Sequence, residues 1–113
     1  MDEQQVIVET RDLEPLVGLF RLLSDQTRLN ILLILAKGER NVGSLCDELG
    51  LPQPTVSHHL GLLRSRNLLQ NRRMGKQVFY GLSSPTPDNE VLMTFLVRPF
   101  EVRIQSSNPE PIQ

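Results

Sequence analysis

A single cysteine, Cys46, stands among the 113 residues. One thiol cannot close a disulfide within its own chain or build a thiolate-only metal site. Long apolar runs are missing too: the longest, Ile31 to Ala36, is far too short to span a bilayer. The acidic opening MDEQQVIVET has no apolar core of the kind a secretory leader needs, so none is expected. Repeats and low-complexity tracts are lacking. No histidine follows His59, and no aspartate or glutamate occurs between residues 49 and 87.

That last absence carries the most information. The formal net charge is −1, which taken whole speaks against a polyanionic partner. By segment it divides sharply. Residues 1–48 hold nine acids and five bases, and residues 88–113 hold four acids and two bases. Between them lie five bases and no acid: Arg64, Arg66, Arg72, Arg73 and Lys76. At the chain's overall composition a stretch of that length would hold about four acids. A local basic surface, rather than the net charge, is what draws a polyanion.

At 12.8 kDa the chain suits one domain, expected over residues 10–104 with flexible tails at 1–9 and 105–113. Leu13, Leu16, Val17, Phe20 and Leu23 recur at helical spacing behind Asp12, a candidate N-cap. Leu19 and Leu22 form a second apolar strip that one core does not need, which points to a partner subunit. Asp25 opens a second helix, apolar nearly all round from Leu29 to Leu35, which marks a central buried element. Asn41 caps a short third helix with Val42, Leu45, Cys46 and Leu49 inward, and Gly50 stops it. A fourth helix over about 53–66 starts on Pro52 and Pro54 and buries Val56, Leu60 and Leu63. Residues 68–72 and 78–82 read as strands of a hairpin turning at Met74-Gly75-Lys76. For 88–104 two readings stand. One is a helix opened by Thr86-Pro87-Asp88, with Val91, Leu92, Phe95 and Leu96 on one face, followed by a strand. The other is a hairpin over 91–104.

Two short helices across a glycine turn, then a hairpin, is the order of a winged helix-turn-helix, mainly α with a small β-hairpin wing. The fourth helix offers Gln53, Thr55, Ser57 and His58 near its start, short polar groups able to reach base edges. Arg64 and Arg66 near its end suit phosphates. Arg72, Arg73 and Lys76 around the flexible Gly75 suit a wing on the backbone or in the minor groove. His59 is expected to pack against the hairpin or the second helix.

Three stretches also carry a resemblance. Leu23-Ser-Asp-Gln-Thr-Arg-Leu-Asn-Ile-Leu is similar to the second-helix entry of the ArsR/SmtB family of repressors. Leu49-Gly-Leu-Pro-Gln-Pro-Thr-Val-Ser-His-His-Leu-Gly-Leu-Leu-Arg resembles its recognition region, and Arg73-Met-Gly-Lys-Gln-Val-Phe-Tyr-Gly-Leu-Ser its wing. The resemblance spans about residues 13–84. It implies a cytoplasmic homodimer on a palindromic operator of double-stranded DNA, released by a chemical signal; the dimer is expected to form through the first and C-terminal helices. The family's recognition positions fall on Gln53, Thr55, Ser57 and His58. Pro54 stands where relatives often carry a hydroxyl, so one contact is missing.

Many members of that family sense metals or arsenicals. The thiolate positions of the third-helix sensors fall here on Asn41, Gly43 and Cys46, and only the last can ligate. The C-terminal Asp/His site has no histidine to use. His58 and His59 are adjacent, whereas a metal pair on a helix needs spacings of three or four. No metal and no cofactor is therefore expected, and the inducer stays unassigned. An enzyme is not expected either. Ser57 lacks the glycine elbow of a nucleophile, and Gly75-Lys76 lacks the spaced glycine of a phosphate loop. Two rival readings are a winged-helix protein-interaction module that never touches DNA, and a zinc or arsenite sensor using Cys46 across a dimer.

Overall fold

The computed structural model describes residues 9–84 and 91–107. Four helices come first, α1 (Leu13–Leu23), α2 (Gln26–Lys37), α3 (Val42–Leu49) and α4 (Gln53–Ser65). A two-residue strand, β1 (Arg40–Asn41), lies between α2 and α3. Two hairpins follow: β2 (Leu69–Met74) with β3 (Gln77–Leu82), and β4 (Val91–Val97) with β5 (Phe100–Gln105). This is a winged helix-turn-helix, as its sequence pattern predicts.

Local chemistry sets most of these boundaries. The Asp25 side chain accepts the Arg28 N–H at 3.0 Å, and Asn41 accepts the Ser44 N–H at 2.7 Å, each satisfying a donor that the first turn leaves open. Gly50 ends α3 at φ 67°, ψ 34°, a left-handed conformation that costs glycine little. α2 lies at the centre. Ile31 and Leu32 are wholly buried, and Leu45, Val56, Leu60 and Leu63 close around them from α3 and α4. Leu69 and Leu82 pin the base of the wing to the same core.

In the wing sheet β3 is central, flanked by β2 and β1. β1 pairs Arg40 with Tyr80 and Asn41 with Phe79. Two residues show no alternation, so this strand has no sequence signature.

Three expectations require correction. Asp12 does not cap α1. It accepts the Glu9 N–H at 2.8 Å in a capping box one turn earlier, on the 3-10 turn Thr10–Asp12. The apolar strips of α1 are split rather than kept: Leu23 of the first strip is buried as expected, but Leu19 of the second joins it in place of Leu13, Val17 and Phe20. Leu19 and Leu23 are the buried pair against α2 and β4, while Leu13, Val17 and Phe20 are exposed. Both strips are leucine-rich, and periodicity alone cannot say which one meets the core.

The third correction concerns the C-terminal part. A helix over 91–97 is overturned by the β4–β5 hairpin, so no C-terminal helix occurs among the described residues; Thr86, Pro87 and Asp88 lie outside them. Met93 pairs with Ile104, Phe95 with Val102 and Val97 with Phe100, around a turn at Arg98-Pro99 whose peptide bond is cis. Alternation governs burial here. Met93 and Phe95 enter the core, at 1% and 5% exposure, whereas Leu96, the next residue after Phe95, is 57% exposed. On the helical reading Leu96 would have been inward and Met93 outward. Glu9 and Gln105, expected in the tails, belong to the capping box and to β5; residues 1–8 and 108–113 lie outside the described residues.

Candidate nucleic-acid interface

α4 separates its side chains cleanly. Val56, Leu60 and Leu63 are buried, while Gln53, Thr55, Ser57, His58, Gly61 and Arg64 are exposed. The helix starts on Pro52, whose carbonyl accepts the Thr55 and Val56 N–H groups at 3.1 and 3.2 Å. Pro54 follows in the first turn, where its missing N–H is tolerated. The exposed polar residues therefore project from a helix held by its apolar side, a rigid mount for groups that must meet a partner in fixed register.

The two histidines divide the work. His58 is exposed, its ring centroid 5.6 Å from that of His59. His59 is half-buried, with Nδ1 3.2 Å from Arg28 Nη1. Of the two packing sites expected for His59, the second helix is the one it occupies.

The cations also differ from one another. Arg73 and Lys76 are exposed on the wing. Arg72 is also exposed but holds Glu39, its Nη2 donating to Oε1 at 2.8 Å and its Nε lying 3.0 and 3.1 Å from the two oxygens. Its guanidinium carbon lies 5.4 Å from the Phe79 ring centroid. The hydrogen bonds from Arg72 hold the Glu39 carboxyl below its ordinary range, and those same bonds raise Arg72. Arg66 is placed otherwise than its spacing suggests. A Cβ on Gly18 would lie 2.8 Å from Arg66 Nη1, so this guanidinium rests on the backbone of α1. Glu39 and Arg28 are the site residues that sequence reasoning missed. Each acts on an element far away in the chain, and neither spacing nor composition signals that.

Cys46 is a free thiol, partly buried against the core. Among the described residues no three His, Cys, Asp or Glu side chains gather closely enough to hold a metal ion.

Residues 25–71 match the family model described as bacterial regulatory protein, arsR family. The chain is 36% identical to HlyU of Vibrio cholerae, covering 67% of this chain and 83% of that one with a TM-score of 0.64. It belongs to the ArsR family. Over 72 residues this ArsR-family chain is 47% identical to the arsenical resistance operon repressor of Escherichia coli, covering 63% of itself and 62% of that protein. It is also similar to the homodimeric winged helix-turn-helix DNA-binding domain of a possible ArsR-family regulator from Mycobacterium bovis, at 29% identity and a TM-score of 0.62, covering 71% of this chain and 77% of that one. Alignments reach 62%, 52% and 58% of three curated relatives, so the chain spans less than two thirds of their length.

Proposed function

We propose that the protein represses transcription by binding double-stranded DNA as a homodimer, with α4 in the major groove and the β2–β3 wing on the backbone or minor groove. One observation carries the reading. From residue 49 to 87 the chain has no acid, and Gln53, Thr55, Ser57, His58 and Arg64 on α4 and Arg72, Arg73 and Lys76 at the wing are exposed while Val56, Leu60 and Leu63 are buried. Gln53, Thr55, Ser57 and His58 contact base edges, and Arg64, Arg73 and Lys76 contact phosphates.

A second copy fits the exposed strip of α1. Leu13, Val17 and Phe20 are 42%, 43% and 51% exposed, spaced i, i+4 and i+7, so they form one apolar face. The homodimeric Mycobacterium bovis neighbour supports the same state. Two recognition helices related by a two-fold axis read a palindrome with half-sites about one helical turn apart.

The releasing signal is assigned to something other than a resident metal ion. Asn41 and Gly43 offer no thiolate, and Cys46 packs toward the core, where a lone thiol serves as a small apolar group. The test is binding to the DNA upstream of the gene across a salt series. Arg73→Ala lowers affinity for every sequence and flattens the salt slope, whereas Gln53→Ala and Ser57→Ala relax sequence choice. Binding that no variant alters would overturn the contact assignment. Absence of any DNA binding would favour a protein-interaction module.

A further inference from the structure

Glu39 lies in the turn between α2 and β1, outside the acid-free stretch, yet its carboxylate reaches the wing. Its stem passes over Gly81, where a Cβ would stand 3.2 Å from Glu39 Cγ. On the opposing strand Gln70 pairs with Gly81 and Arg72 with Phe79, so Arg72, Phe79 and Gly81 share one face of the sheet. Arg73 is on the other face. Both Glu39 oxygens lie within 3.1 Å of Arg72 Nε, and Nη2 donates to one of them at 2.8 Å. That donor edge matches a phosphate as well as it matches a carboxylate, but it cannot serve both at once.

We propose that Glu39 is an internal stand-in for a DNA phosphate that withholds Arg72 from the nucleic acid. The wing then presents two working cations, Arg73 and Lys76, rather than three. This rests on the DNA-binding reading above and refines it. A neutral Glu–Arg pair displaces no counterion from DNA, so it is silent in the salt dependence of binding, whereas a freed arginine is counted. Both partners are charged near neutral pH, since the pairing lowers the glutamate and raises the arginine.

The test measures DNA affinity of the full chain across a salt series for the wild type, Arg72→Ala, Glu39→Gln and the double variant. Glu39→Gln is expected to steepen the slope of log K against log salt by about 0.9 per protomer. For a dimer this tightens binding about tenfold more than in the wild type between 200 and 50 mM salt. Arg72→Ala alone leaves the wild-type slope unchanged, and the double variant returns to it. Glu39→Ala, at the same exposed position, gives the same steepening if Gln folds poorly. A slope flattened by Arg72→Ala in the otherwise natural chain overturns the proposal, because Arg72 then already meets phosphate. An unchanged slope in Glu39→Gln also overturns it. A wild type that binds no DNA at any salt overturns the DNA-binding reading itself and the proposal with it, a result distinct from either slope change.

Discussion

Arg28 on α2 points its guanidinium at His59 on the recognition helix, Nη1 to Nδ1, across 3.2 Å. Because a guanidinium can only donate, Nδ1 is the acceptor. The same side chain donates from Nε to the Leu22 carbonyl at 2.7 Å and lies 3.9 Å from the Asp25 carboxylate. One residue therefore joins the end of α1, the cap of α2 and the middle of α4. Its side chain is only 15% exposed, so little water can replace these bonds. Arg28→Ala is expected to cost about 1.5–3 kcal/mol, in the range for hydrogen bonds to charged groups, read by urea denaturation. Arg28→Lys should recover little of that, since a lysine lacks the planar fork.

The C-terminal hairpin belongs to the core. Met93 on β4 is 1% exposed within the core cluster, and Met93→Ala should destabilise the protein by about 2–5 kcal/mol. A helix with Val91, Leu92, Phe95 and Leu96 inward would instead make Met93 a solvent-facing position and its truncation nearly neutral. Thermal melts of this single variant separate the two arrangements.

Asn41 is both the cap of α3 and a member of β1. Removing its side-chain oxygen in Asn41→Ala leaves the Ser44 N–H without its acceptor, an expected loss of about 1 kcal/mol. Asn41→Asp keeps the acceptor and should keep the stability, measured in the same denaturation series.

Acid should weaken the fold in a defined window. The Arg28 backbone N–H, more than any other group, holds the Asp25 carboxyl below its ordinary 3.8, and the Arg72 side chain holds Glu39 below its ordinary 4.5. A group lowered by folding adds stability above its unfolded value and loses it as pH falls through the folded one. The loss therefore starts near those ordinary values and deepens below them. Asp25→Asn retains a capping oxygen without a titrating proton, so its stability should fall less steeply over that range; an unchanged acid slope would remove Asp25 from the explanation.

Much of this was legible in the residues. Asp25, Asn41 and Gly50 announce helix ends through side-chain and backbone chemistry that acts over three or four positions, and each does so where expected. The division of α4 was readable too, because Val56, Leu60 and Leu63 are its only apolar residues at core spacing. What failed were choices between equally apolar alternatives. Nothing local says that Leu19 rather than Val17 meets α2, or that residues 91–97 alternate at period two rather than turn at 3.6. β1, the Glu39–Arg72 pair and the Arg28–His59 contact lay beyond reach for a different reason. They join positions as far as 40 residues apart, and only the fold brings such positions together.

The most direct measurement is selection of bound DNA from a random pool at physiological salt. The expected outcome is enrichment of one two-fold symmetric sequence, half-site centres about one helical turn apart, with the symmetry lost when Phe20→Glu disrupts the exposed face of α1. Recovery of no enriched sequence, or of an asymmetric one bound by a monomer, would contradict a dimeric, sequence-reading repressor.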